Sequence, residues 1–229
     1  MPNELPSQND PIIFLDVETL PAEAGDPLWE KIADQSPLPQ DEDFEEYFEK
    51  KRRETALFPA LGRVWMIGFA NKREEPTILA GDGSVESEIT VLRDFLQYVE
   101  SWENPWWVGH NISGFDLPFL QVRSLKHDIP LLGRGLGRLR SKPWERRVLD
   151  THQLWPSTGA DRYSRGHGIT GTRRLDTVCS VLGIENQQGI MGPHVYDAYL
   201  AGDSKGVKEH LHDDVIQVRE VFKKIWPLL

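Results

Sequence analysis

Ile12-Ile13-Phe14-Leu15-Asp16-Val17-Glu18-Thr19-Leu20 sets the frame for the rest of the chain. Four apolar residues run into two carboxylates separated by one residue. The run is short, starts with β-branched side chains and follows Pro11, which predicts a buried strand over Ile12 to Asp16. Side chains alternate along a strand, so Asp16 and Glu18 leave the same face, about 6–7 Å apart. Acids that close repel one another. Burying like charges is costly without a cation, and oxygen donors suit Mg²⁺ or Mn²⁺. The plainer reading is an Asp and a Glu in the wet loop after a strand.

The 229 residues suffice for one well-filled domain. No linker or internal repeat is visible, so 1–229 is expected to be a single unit. Eight Trp and nine Phe argue against disorder. A formal net charge of -10 excludes a highly basic protein that coats nucleic acid in bulk, but not a local basic groove. Cys179 is the one cysteine, which excludes a disulfide framework and a multi-cysteine zinc cluster. No stretch approaches about 18 apolar residues, so no membrane span is expected. Met1 to Asp10 is polar and reads as a frayed tail, neither a signal peptide nor a transit segment. A soluble, cytoplasmic protein is the expectation.

Residues 21–59 break the pattern with eleven acids. Phe44, Tyr47 and Phe48 recur at helical offsets, which predicts a short helix over about 41–54. The segment is expected to be a solvated insertion packed by one aromatic edge, with a lid over the acids as the alternative. Further strands are expected at Val64 to Ala70, Thr77 to Ala80, Trp106 to Gly109 and Arg147 to Asp150, the first two joined as a hairpin. Helices are expected over Ser84 to Trp102, with Ile89, Leu92, Phe95, Leu96 and Val99 as its buried stripe, and over Gly114 to Leu125. Three more follow: Arg174 to Leu182, closed by Gly183; Val195 to Ala201; and Gly206 to Ile225, burying Val207, Leu211, Val215, Val218 and Phe222. Strands and helices alternate after the hairpin, so the fold class is α/β with a mixed sheet.

A second acidic stretch follows the strand at Trp106: Gly109-His110-Asn111-Ile112-Ser113-Gly114-Phe115-Asp116-Leu117-Pro118-Phe119-Leu120. Asp116 lies near a helix N-terminus, where it either caps exposed N–H groups or points back across the sheet at Asp16. A third lies on the last helix, His210-Leu211-His212-Asp213-Asp214-Val215. His210 and Asp214 are one turn apart and share a face. Asp214 borders the buried stripe, where acids are seldom unpaired; the alternative is a solvent-facing Asp214 paired with His210. Between Arg134 and Arg174, ten basic residues, Arg146 and Arg147 among them, stand against three acids. They are either a phosphate-binding run or an ordinary charged surface. Leu20, Phe115, Trp144 and Tyr163 are candidates to stack or wedge against bases.

These motifs resemble the DEDD superfamily of 3′–5′ exonucleases, and within it the predicted exonucleases related to the proofreading domain of family B DNA polymerases. Phe14-Leu15-Asp16-Val17-Glu18-Thr19 matches the first family motif, Asn111 with Phe115-Asp116 the second, and Asp214-Val215 the third. The resemblance implies a ribonuclease-H-like, mixed five-stranded sheet flanked by helices. It implies that Asp16, Glu18, Asp116 and Asp214 hold two divalent cations, Mg²⁺ or Mn²⁺, and that these acids and His210 are catalytic. It implies that Asn111 and Phe119 shape the substrate site; with Thr19, with Leu20 and Phe115 as wedging candidates, and with Arg146 and Arg147 of the basic run, they make up the expected substrate contacts. The implied partner is the 3′ end of single-stranded DNA or RNA.

The chain departs from that pattern at one place. The polymerase-related branch carries a tyrosine four residues before its last acid, where this chain has His210. Another branch carries a histidine five residues before it, where this chain has Glu209. His210 therefore either takes the proton of an attacking water, orients that water, or has no part. Two other functions stay open: a nucleic-acid-binding module with little turnover, and a phosphohydrolase of short oligonucleotides.

Overall fold

The computed structural model describes residues 5–7, 9–35, 43–130, 147–156, 172–185 and 192–228. β1 (Ile12–Leu20) is the central strand of a five-stranded mixed sheet in the order β3-β2-β1-β4-β5. β2 (Arg63–Ala70) lies antiparallel to β1 and forms a hairpin with β3 (Thr77–Ala80). β4 (Trp106–Gly109) lies parallel to β1, and β5 (Val148–Asp150) parallel to β4. This is the α/β architecture expected.

β1 differs from expectation in length. It does not stop at Asp16 but runs through both acids to Leu20, with Asp16 opposite Gly68 and Glu18 opposite Met66. Acids are poor strand formers, yet a central strand with a ladder partner overrides that preference. The register shifts between Glu18 and Thr19, a local irregularity directly after the acid pair.

Alternation along β1 sorts its residues between two layers. Ile13, Leu15 and Val17 pack with α3 (Val85–Glu100) and α4 (Asp116–Lys126). Ile12 and Phe14 pack with Val215, Val218 and Phe222, and Leu20 with Val207 and Leu211, all of α8 (Ser204–Ile225). Asp16 and Glu18 fall in that second row, between Phe14 and Leu20, and so face α8. Gly68, beside Asp16 on β2, lets α8 come close. A Cβ there would stand 2.8 Å from Leu211 Cγ and 3.0 Å from Val215 Cγ2.

The remaining elements follow local signals. Asp26 accepts from the N–H groups of Leu28 and Trp29 to cap α1 (Pro27–Asp34), and Asp43 caps α2 (Phe44–Glu54) in the same way. α5 (Thr151–Leu154) is capped by Asp150. Neither α1 nor α5 was expected. α6 (Leu175–Leu182) ends at Gly183, whose φ of 65° is the left-handed conformation glycine accepts readily. α7 (Val195–Leu200) then leads to α8.

In α3 the expected stripe is altered at one position. Ile89 is only partly buried, while Glu88 is buried at 1% exposure. Glu88 accepts from Arg123 at 2.8 and 2.6 Å and from the Val64 N–H at 2.7 Å, and His127 stands 2.8 Å away. An acid so placed is tolerated because it is paired and hydrogen-bonded. In the expected tail, the Ser7 N–H donates to Asp10 at 2.7 Å. No helix among the described residues is long and apolar enough to cross a membrane.

Candidate active site

Three elements bring acids to one cavity of about 1070 Å³. The second half of β1 supplies Asp16 and Glu18, the first turn of α4 supplies Asp116, and α8 supplies Asp214 with His210. The turn that carries α4 is held from β5. Asp150 accepts the N–H of Asn111 at 2.8 Å and of Ser113 at 3.1 Å, and fastens a turn in which Asn111 takes the unusual φ of 64°. His210 Nε2 stands between two of the acids, 3.6 Å from Glu18 Oε1 and 3.4 Å from Asp214 Oδ2.

The electrostatics are those of crowded, poorly solvated carboxyls. Burial, then the charges of Asp116, Asp214 and Glu18, holds Asp16 well above the usual carboxylate range. Burial, then Asp214 and Asp116, pushes Glu18 up to about 8. Burial raises Asp116 to about 7, and the N–H groups of Asp116 and Val17 work against it. Burial, then Asp213 and Asp176, raises Asp214 to about 7. Burial lowers the His210 imidazole, with Asp213 opposing. Asp116 lines the same cavity as Asp16, and its carboxyl also meets the N–H at the start of its own helix. Asp214, although it stands near His210, faces the cavity rather than open solvent.

No Lys or Arg forms an ion pair with any of the four acids among the described residues. Asp116 Oδ1 is buried without a hydrogen-bond partner there. As they stand, no three Asp, Glu, His or Cys side chains among the described residues are grouped closely enough to grip an ion. The donor set is nevertheless the hard, oxygen-rich kind that Mg²⁺ and Mn²⁺ take. Gripping an ion would need rotation of the carboxylates, with His210 moving from between Glu18 and Asp214.

The sequence-predicted substrate contacts divide. Thr19, Asn111 and Phe115 line the cavity. Leu20 and Phe119 are fully buried in the core, so neither is available to wedge a base. Arg147 lies at the far end of β5 from Asp150, where it pairs with Asp10 at 3.4 Å, donates to the Asn104 carbonyl and covers the Trp106 ring. Arg146, Trp144, Tyr163 and most of the basic run lie outside the described residues. The cavity has further walls: Lys50, Arg53 and Leu57 from the acidic insertion, Arg174, the last of the basic run, with Asp176 at the start of α6, and Tyr196 on α7; among these Asp176 and Tyr196 had no expected role. The insertion is thus part of the site wall, not only a solvated excursion. His110 also lines the cavity, its two ring nitrogens engaged by Thr151 Oγ1 at 2.9 Å and the Arg173 carbonyl at 2.7 Å.

Over residues 60–226 the chain matches the family described as predicted 3′–5′ exonucleases related to the exonuclease domain of PolB. It is 23% identical over 174 residues to a DNA polymerase of Archaeoglobus fulgidus, a stretch that covers 74% of this chain and 21% of that polymerase. Its fold is similar to that of the family B DNA polymerase from the hyperthermophilic archaeon Pyrobaculum calidifontis. The TM-score is 0.57 at 17% identity, covering 98% of this chain and 26% of the polymerase. The chain therefore spans about a fifth to a quarter of the length of these polymerases. The family match begins after β1, so it includes Asp116, His210 and Asp214, while Asp16 and Glu18 precede it. With β2 through α8 inside the matched stretch, the chain belongs to the family of predicted 3′–5′ exonucleases related to the exonuclease domain of PolB.

Proposed function

We propose that the chain is a metal-dependent 3′–5′ exonuclease that hydrolyses phosphodiester bonds at single-stranded DNA or RNA ends, using two divalent cations, Mg²⁺ or Mn²⁺. The observation that supports this most is the meeting of Asp16, Glu18, Asp116 and Asp214, from three separate elements, at one cavity. Those four carboxylates would hold the ions. Divalent ions at such a site acidify a water and offset charge on the phosphoryl group.

The chain's own residues supply position and proton traffic. β1 and α8 fix the acids on a packed face, closed at Gly68. Burial lowers the His210 imidazole and so keeps it neutral near pH 7, and once ions displace it from between Glu18 and Asp214 its Nε2 would take the proton of the attacking water. Attack of that water on phosphorus breaks the bond to the 3′ oxygen. The terminal nucleotide leaves as a 5′-phosphate, and the shortened strand keeps a 3′-hydroxyl. Thr19, Asn111 and Phe115 stand where the terminal nucleotide would enter.

The test is incubation of 5′-labelled DNA and RNA oligonucleotides with the protein and Mn²⁺. The expected result is a ladder of progressively shorter labelled strands, absent with EDTA and absent for Asp16→Asn. A protein that binds the strand yet never shortens it would support a second reading, a binding module without turnover. The observation favouring that reading is His210 itself, set between two of the acids where the resembled branch carries a tyrosine.

A further inference from the structure

The acidic insertion builds one wall of the cavity and is bolted to the strand that carries the acids. Lys50 and Arg53 of α2, then Ala56 and Leu57 of the 3₁₀ turn over Thr55–Leu57, all line the cavity. Their spacing puts them on one side of a continuous helical stretch. Thr19 Oγ1 donates to the Ala56 carbonyl at 2.7 Å, and the Ala22 N–H donates to Thr55 Oγ1 at 2.8 Å. Arg52 donates to the Ala22 carbonyl and to the Tyr196 hydroxyl, both at 2.8 Å.

Charge is segregated along α2. Glu45 and Glu46 stand in its first turn, and Lys51, Arg52 and Arg53 in its last. Three of its cations are engaged: Arg52 with Glu49, Arg53 with Glu49 and Asp197, Lys51 with Glu54. Lys50 has no ion pair among the described residues and lines the cavity. On the same wall Leu57, an apolar side chain, is 64% exposed.

We infer that this wall is the strand-binding surface of the site, with Lys50 on a backbone phosphate of the substrate and Leu57 against a base near its 3′ end. The inference rests on the nuclease reading above. A single strand offers two kinds of handle, charged phosphates and flat apolar bases, and this wall presents one partner for each. Positive charge on the wall also favours entry of a polyanion.

The experiment is fluorescence anisotropy of a short labelled oligothymidylate in Ca²⁺, titrated between about 50 and 200 mM salt. Lys50→Gln should weaken binding about tenfold at low salt and lower the slope of log affinity against log salt by about 0.7. Leu57→Ser should weaken binding by roughly tenfold with the wild-type slope, since it removes apolar contact and no charge. Lys224→Gln makes the same charge change at an exposed residue of α8 that does not line the cavity, and should keep the wild-type slope. A Lys50→Gln slope equal to wild type overturns the inference, as does an equal effect from Lys224→Gln. If the wild type shortens oligonucleotides and Lys50→Gln binds as tightly as wild type, this inference alone fails. If the wild type neither binds nor shortens any strand, the nuclease reading fails and takes this one with it.

Discussion

Glu18→Gln should stabilise the metal-free protein while removing a proposed ion ligand. Glu18 is 8% exposed, and its carboxyl is pushed up to about 8 from an ordinary 4.5 by burial and by the charges of Asp214 and Asp116. The folded state thus keeps a proton that the unfolded chain has already released, and stability falls as pH rises between those two values. Each pH unit crossed costs about 1.4 kcal/mol, so by pH 7 the deficit is about 3 kcal/mol. Gln keeps the shape and carries no charge, so the variant escapes the deficit. For a chain of this length the gain corresponds to roughly 6–12 °C in melting temperature. Scanning calorimetry in EDTA at pH 4.5, 6, 7 and 8 reads it directly. The variant should gain on the wild type steadily from pH 4.5 to 8. Added Mn²⁺ should then raise the wild type by RT ln(1 + [L]/Kd), and the variant by less. A Glu18→Gln protein less stable than wild type at pH 7, or a gap that does not change with pH, would refute the crowding of these acids.

Three other perturbations probe separate parts of the account. Gly68→Ala would drive a methyl group into Leu211 and Val215, so it should destabilise by about 1–3 kcal/mol. It should also weaken Mn²⁺ binding by shifting Asp214 from β1, which calorimetric titration would detect. Glu88→Gln leaves the wholly buried Arg123 short of its partner and should cost about 3–5 kcal/mol; because this pair joins α3 to α4 and neither residue lines the cavity, Mn²⁺ affinity of the folded variant should match wild type. His210→Ala should cost about 10²–10⁴ in turnover if His210 is the base. It should also remove an acid limb of the pH–rate profile lying below about pH 6.5, the ordinary imidazole value from which burial lowers His210. A His210→Tyr protein faster than wild type would overturn the base role.

The elements with strong periodicity were legible from residues alone. The long stripe of Val207, Leu211, Val215, Val218 and Phe222 fixes α8, and Trp106–Gly109 is a strand between turn signals. The acids' common face was legible too, because alternation along β1 needs only the strand. What was hidden depends on distant partners. The ladder with β2 carries β1 past Asp16, and nothing local to Asp16-Val17-Glu18 announces that ladder. Leu20 shares a row with the acids, yet α7 and α8 close over it, so it is core and not wedge. Arg147 and Asp150 are three residues apart, but a strand has two ends and only Asp150 is at the end near the site. α1 carries the Asp26–Pro27 cap signal and no buried residue, so it leaves no stripe to read. Lys50 and Leu57 belong to an acidic segment whose charge suggests solvent; their place at the cavity comes from tethers to Thr19 and Ala22.

The central claim is that Asp16, Glu18, Asp116 and Asp214 together form a divalent-ion site. Its most direct test is a crystal structure of the wild type grown with Mn²⁺ and a nucleoside 5′-monophosphate, with anomalous scattering used to place the ions. The account predicts Mn²⁺ peaks about 2.1 Å from oxygens of Asp16 and of at least two of the other three acids. It also predicts the phosphate against those ions and His210 turned from between Glu18 and Asp214. Ordered nucleotide with Mn²⁺ bound elsewhere, or His210 still seated between the two carboxylates with no ion beside them, would contradict it.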